Sequence, residues 1–171
     1  TPCVLVASDT LNSIDTDYTD ATLTSRDLSR HDLGSGRFSR ASAQLASFNA
    51  ANLTGADFTA ANLHGATFRD AVITDAVFVD VNVTNGDFTG ATLSGTTFYR
   101  ATLYETTFRG CTSTRTAFDG ADLRSADFTD ADLDGATFTG ADISYAVFTG
   151  SSVTSEQLAT ATGTPIGAPE A

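Results

Sequence analysis

An apolar residue recurs at every fifth position from about Tyr18 to Val153, and that spacing excludes most folds open to a chain of this size. The column runs through Leu23, Leu28, Leu33, Phe38, Ala43, Phe48 and Leu53, and it reaches Phe148 and Val153 without a slip in register. Two residues earlier stands a small residue, usually Ala, and the other places hold mostly Asp, Asn, Thr, Ser, Gly or Arg. Ala51-Asn52-Leu53-Thr54-Gly55 and Ala121-Asp122-Leu123-Arg124-Ser125 show the unit clearly. Neither the 3.6-residue turn of a helix nor the alternation of a long strand gathers every fifth side chain on one face. The chain must therefore turn a corner every five residues, and the polar Gly-, Asp- and Ser-rich pair between apolar triplets supplies the turn chemistry. Successive circuits about 4.8 Å apart then pair their backbones, which makes a solenoid. Its small column points inward at the corners, because so narrow an interior at protein packing density admits only Ala-sized groups there.

The A(D/N)LxG pattern resembles the pentapeptide-repeat family over roughly residues 16–155, with weak matches at Arg26, His31 and Ala43. The resemblance implies an all-β, right-handed quadrilateral β-helix with four repeats per coil, hence about seven coils and a stack ~34 Å long. All twelve Phe fall on a ten-residue period from Phe38 to Phe148, so on four faces they occupy alternate walls. Phe38, Phe58, Phe78, Phe98, Phe118 and Phe138 would stack on one wall, with Phe48 to Phe148 opposite and aliphatic residues on the other two. Such ladders are core rather than a platform for a cofactor or a base.

Three segments follow. Residues 1–15 form an N-terminal cap segment, with Cys3-Val4-Leu5-Val6-Ala7 laid across the open edge of the first coil. Residues 16–153 are the solenoid, and residues 154–171 are a short C-terminal capping helix and a loose tail. Thr154 and Gln157 have the spacing of a capping box, and Gly163 and Pro165 are stop signals. The family resemblance also implies a homodimer through an end cap, an expectation weakened by the shortness of this helix.

The net charge of -12 argues against direct nucleic acid binding, because a phosphate-facing surface needs clustered cations. No apolar run approaches the ~18 residues of a membrane span, so the chain reads as soluble. There is no Met, and all nine basic residues are Arg. A start at a processing site and a trimmed start are both open readings. With the resemblance to lumenal members of the family, the former sets the expectation of an extracytoplasmic or organelle compartment such as the thylakoid lumen. The triplets Asn52-Leu53-Thr54 and Asn82-Val83-Thr84 fit glycosylation acceptors, but the repeat itself generates them.

No catalytic, cofactor or metal site emerges. Cys111 occupies the inward small column several coils from Cys3, too far for a disulfide, and reads as a buried, inert thiol. Cys3 reads as the more exposed thiol, open to cross-linking. Asp130, Asp132, Asp134 and Gly135 match the start of a calcium loop, yet Ala141 stands where the bidentate Glu is required. His31 and His64 lie in different columns with no nucleophile motif. The chain therefore reads as a non-enzymatic adaptor or structural subunit, offering a rigid rod to a protein partner.

The family resemblance supplies one alternative, an acidic DNA mimic that binds a type II topoisomerase. Such a mimic needs a continuous acidic stripe, whereas between Asp87 and Asp119 the only acid is Glu105, set against Arg100, Arg109 and Arg115. Acids gather instead toward the C-terminal side, where Asp122 and Asp142 would stack one coil apart at a cost under ~1 kcal/mol in water. An ice-binding hydroxyl array is a lesser alternative, since only the ranks Thr92/Ser94 and Thr112/Thr114 on one aliphatic wall fit it. Tyr99 and Tyr104 lie outward on adjacent walls near Arg100, and exposed aromatics beside Arg are typical interface anchors. These three residues are the expected protein contact.

Overall fold

The computed structural model describes residues 17–169; the Cys3–Ala7 run and the rest of the N-terminal cap segment lie outside them. Parallel bridges join residues twenty apart, from Asp17–Arg37 through Asp122–Asp142, so each circuit holds four five-residue sides. The chain is a quadrilateral β-helix. We number its walls in chain order by their inward residues: Tyr18 to Phe138 line the first, Leu23 to Ile143 the second, Leu28 to Phe148 the third, and Leu33 to Val153 the fourth.

Each side repeats the same bonds. Phe58 donates its N–H to Val77 O at 2.8 Å, Ala60 to Val79 O at 2.9 Å, and Val77 to Ala56 O at 2.9 Å. A turn closes each corner, as when Ala61 N–H reaches Phe58 O at 2.9 Å. The third turn residue has positive φ at every corner, +67° at Gly55 and +57° at Ala60, which is the signature of a type II turn. This chain holds the left-handed conformation at many non-glycine corners, including Leu45, Arg100 and Tyr145.

The N–H that follows each inward residue points away from the ladder, and this explains the Asp/Asn column. Asp57 Oδ1 accepts from Thr59 N–H at 2.8 Å, Asn82 Oδ1 from Thr84 N–H at 3.1 Å, and Asp127 Oδ1 from Thr129 N–H at 2.9 Å. A short side chain with an acceptor oxygen two residues upstream is the local solution for such an orphan donor. The acidity of the column thus has a structural origin.

The Phe ladders stand on the first and third walls. Phe38 and Phe58 stack with centroids 4.5 Å apart, and Phe68 and Phe88 with centroids 4.6 Å apart. Tyr18 begins the first ladder, 4.7 Å from Phe38. The two ladders also meet each other edge to face, as at Phe38–Phe48, 5.8 Å and 90°, so opposed aromatic walls close the interior between them. The inward Phe rings are fully buried.

The small column holds more than Ala. Thr96, Thr106 and Thr116 are buried there and donate their hydroxyls to Ile73 O, Val83 O and Leu93 O at 2.5, 2.9 and 2.8 Å. Each thereby uses the second lone pair of a turn carbonyl, which is how a hydroxyl is tolerated in this core. Ser113, in the inward column of the fourth wall, donates to Thr116 Oγ1 at 3.2 Å.

At the C-terminal end, α1 (Ser155–Leu158) begins at Thr154, whose side chain and Gln157 form a reciprocal capping box. The Gln157 side-chain amide donates to Leu133 O at 2.7 Å and Ala136 O at 2.9 Å, replacing donors that a further coil would supply. Beyond α1 the chain is ordered against the rod rather than loose. Ile143 N–H reaches Thr162 O and Phe148 N–H reaches Ile166 O, both at 2.8 Å, so residues 160–166 cover the second and third walls.

Candidate interaction surface

A filled interior leaves the outer faces of the walls as the surfaces on which recognition can occur. Among the described residues no group of three or more His, Cys, Asp or Glu is arranged to hold a metal. His31 Nδ1 donates to Ser29 O at 2.9 Å, while His64 lies exposed on the second wall. Asp132 Oδ1, in the sequence that mimics a calcium loop, is engaged by Asp134 N–H and Ser152 Oγ, both at 3.2 Å. Cys111 is buried in the small column, and burial pushes its thiol up to about 12. A groove of about 330 Å³ runs beside α1, lined by Thr137, Thr139, Thr160 and Gln157 among others.

Six arginines are tied down. Arg37 pairs with Asp17 at 2.5 Å, Arg40 with Asp20 at 2.7 Å, Arg69 with Asp87 at 2.5 Å, Arg100 with Asp80 at 2.5 Å and Arg109 with Asp127 at 2.9 Å. Arg124 grips Asp122 with two bonds of 2.7 Å and lies 3.9 Å from Asp142. The middle of the rod is therefore less basic than its composition suggests, since Arg100 and Arg109 face carboxylates on neighbouring coils. Arg124 also sits between Asp122 and Asp142, which offsets the repulsion expected of that stacked pair. These bonds hold the Asp122 carboxyl below its ordinary range and push Arg124 upward.

The residues expected to make protein contact fall into two pairs. Tyr99 is 46% exposed on the first wall, with the Arg100 guanidinium over its ring at 5.1 Å. Tyr104, on the second wall, is half-buried and stacks instead with Arg124, 5.5 Å from its centroid. A hydrogen bond donated by the Tyr104 hydroxyl to the Glu105 carboxylate, and then the charge of that carboxylate, raise the Tyr104 phenol above its usual range. Sequence reasoning missed this Arg124 partner, although its place one coil beyond Tyr104 is a spacing of twenty. It also missed Val77 and Val79, which flank Phe78 on the outside of the first wall, next to Tyr99.

The hydroxyl ranks of the fourth wall bond to one another. Ser94 Oγ and Thr114 Oγ1 are 2.7 Å apart, which reduces what those ranks can offer to ice.

Comparison with known proteins gives a family. A profile of the pentapeptide repeat region matches residues 81–158, and one of eight pentapeptide-repeat copies matches residues 37–75. No curated protein sequence matches the chain. Among solved structures, HetL of the cyanobacterium Nostoc sp. strain PCC 7120, a protein involved in heterocyst differentiation regulation, is 24% identical with a TM-score of 0.48. That alignment covers 89% of this chain and 81% of HetL. Full-length QnrB1, a plasmid-mediated fluoroquinolone resistance protein, is 20% identical with a TM-score of 0.45, covering 88% of this chain and 82% of QnrB1. A pentapeptide repeat protein of the Arabidopsis thaliana thylakoid lumen is 27% identical with a TM-score of 0.18, covering 82% of this chain and 80% of its own. The two profile matches, on a chain whose walls repeat every five residues and whose coils repeat every twenty, show that this protein belongs to the pentapeptide-repeat family.

Proposed function

We propose that the protein is a non-enzymatic adaptor or structural subunit: a rigid rod of about seven coils, covered at its C-terminal end by α1, that binds a protein partner through its walls. The observation that carries this reading is the pair of outward Tyr–Arg stacks, Tyr99–Arg100 and Tyr104–Arg124, on adjacent flat walls. An aromatic ring with a guanidinium already laid on it offers a partner large contact area with little side-chain entropy left to lose. Each arginine is further held by carboxylates, so both stacks are ordered before binding.

The topoisomerase-binding DNA mimic is less well supported. Its acidic surface would draw on Asp119, Asp122, Asp127 and Asp142, yet Asp122 and Asp127 face arginines, and Asp119 accepts from Thr137 Oγ1 and Thr139 N–H at 2.6 and 2.8 Å. Affinity capture from the native source tests the adaptor. Wild-type bait retains specific proteins, and a Tyr99→Ala, Arg100→Ala, Tyr104→Ala bait with an unchanged melting profile loses them. An identical captured set from both baits would refute the assignment of the contact to these residues.

A further inference from the structure

The first wall differs from the other three in what it shows to solvent. Val77 and Val79 lie side by side, Tyr99 stands one coil above Val79, and Ala117 continues the column of Val77 one coil beyond Thr97. Carboxylates rim this apolar strip, with Asp57 below it, Asp119 above it, and Asp75 and Asp80 at the two corners. The Arg100 guanidinium leans onto the Tyr99 ring and so belongs to this wall's surface. A contiguous apolar strip with a polar rim marks a contact face.

We propose that this wall binds a second copy of the chain, with two rods packed antiparallel about a two-fold axis that lies in the contact plane between the Val79 and Tyr99 levels. The proposal rests on the reading of the rod as a protein-binding surface and names the partner of its Tyr99–Arg100 face. Rotation about such an axis reverses the rod but keeps each side-chain column opposite itself, and the sequence of each column then decides whether the faces fit.

They fit in both charge and size. In the column beside Phe78, Val79 meets the second copy's Tyr99, and Thr59 meets its Asp119. In the preceding column, Asp57 meets Ala117 of the other rod. At the corner leading to the second wall, Asp80 meets the second copy's Arg100, so each intrachain ion pair becomes part of a four-charge ring of alternating sign. Along that corner Arg40 meets Gly140, and along the other Asp75 meets Gly95 and Arg115 meets Gly55. No like charges oppose each other in these columns, and long corner side chains face glycine. A net charge of -12 opposes self-association in general, which makes the absence of opposed acids on this wall the more informative.

A side of about three extended residues is ~10 Å wide, and the ladder from Tyr18 to Phe138 is ~30 Å long, so the flat contact is roughly 300 Å² per copy. That is small for a specific interface and corresponds to a transient dimer, observable at about 0.1–1 mM chain. The second wall, with Tyr104 and Arg124, stays open to a different partner.

Sedimentation equilibrium of the purified full chain over that range tests the proposal. The apparent mass of the wild type should climb from 17.7 kDa toward twice that value as concentration rises. Asp80→Arg alone places Arg opposite Arg100, and Arg100→Asp alone places Asp opposite Asp80, so each should weaken association at least ~10-fold. An equimolar mixture of the two variants regains it, because both cross-contacts are then oppositely charged. Val79→Asp and Tyr99→Lys form a second such pair that leaves the corner bridge intact, each alone setting an unpaired charge against an apolar side chain and the mixture pairing Asp with Lys, should either corner variant fold poorly. A wild type monomeric at about 1 mM, single variants that associate like wild type, or mixtures that do not regain association would each overturn the proposal. A monomeric rod whose triple-alanine variant still loses its captured proteins would overturn the dimer while leaving the adaptor reading in place.

Discussion

Ser113 interrupts an aliphatic wall, and its consequence can be worked through quantitatively. Elsewhere on the wall a large inward residue stands with a small corner residue, as in Leu53 with Ala56 and Leu133 with Ala136, while the adjoining Leu93 stands with Thr96. At Ser113 the sizes are exchanged, since Thr116 occupies the corner and its methyl and hydroxyl take up the volume that Ser113 gives back. Thr116→Ala should then remove about 28 Å³ of packing, worth ~0.7 kcal/mol at 24 cal/mol per Å³, and leave the buried Ser113 hydroxyl without its acceptor at ~1–3 kcal/mol. Ser113→Leu adds a net two heavy atoms beside an unreduced Thr116 and sets a second Leu–Thr rung directly on that of Leu93 and Thr96, so it should cost ~1–3 kcal/mol by overpacking. The double substitution reproduces the Leu–Ala pairing of the Leu133–Ala136 rung, and Leu93 O keeps the N–H of Thr96 at 2.9 Å. It should fall within ~1 kcal/mol of wild type, giving a coupling of about 3 kcal/mol between the sites. Urea unfolding of the four proteins, read by far-UV circular dichroism, measures the cycle. Additivity within ~0.5 kcal/mol would show that the two side chains do not share one volume, and the reasoning would fail.

Three other expectations concern the corners, the acidic column and the thiol. Gly110→Ala should destabilise by about 1 kcal/mol although nothing lies within 4 Å of the added carbon, because φ there is +59°; Ala60→Gly, at φ +57°, should shift the melting point the opposite way. Asp57→Asn should keep the bond to Thr59 N–H and leave stability nearly unchanged, whereas Asp57→Ala should cost ~1 kcal/mol, and equal effects in thermal melts would refute the capping role. The same bonds set the response to acid. Although burial pushes Asp57 and Asp87 up, bonds from Thr59 and Thr89 bring both below the ordinary carboxyl value of 3.8. The unfolded chain therefore binds protons first as pH falls, so this stabilisation is complete above about pH 5 and is lost as pH drops through the lowered folded values. A melting point already declining between pH 8 and 6 would contradict it. In a Cys3→Ala background, Cys111 should react with a thiol reagent only as fast as the rod opens, because its thiol is buried and protonated with a pKa near 12.

The five-residue period carried the fold, because the inward column and the corner turns depend on neighbours a few residues apart. The ten-residue Phe period likewise gave the stacked ladders once four sides per coil were assumed, and Phe98 over Phe118 at 5.3 Å is one such rung. The role of the Asp/Asn column is also local, written in the exchange of Asp57 for Asn52 or Asn62 at equivalent places, and the structure shows it as a cap on the N–H two residues on. The pairing of Tyr104 with Arg124, the offsetting of Arg100 by Asp80, and the way Thr116 fills for Ser113 were not apparent in the same way. Each depends on rotamers chosen between coils, where a residue has several neighbours at spacings of eighteen to twenty-three. A periodic sequence determines which columns face inward, since burial of every fifth side chain tolerates no other register. Which side chains then meet across a wall was decided by the tertiary structure, because contacts between coils are selected by length, charge and packing rather than by the period that brings them near.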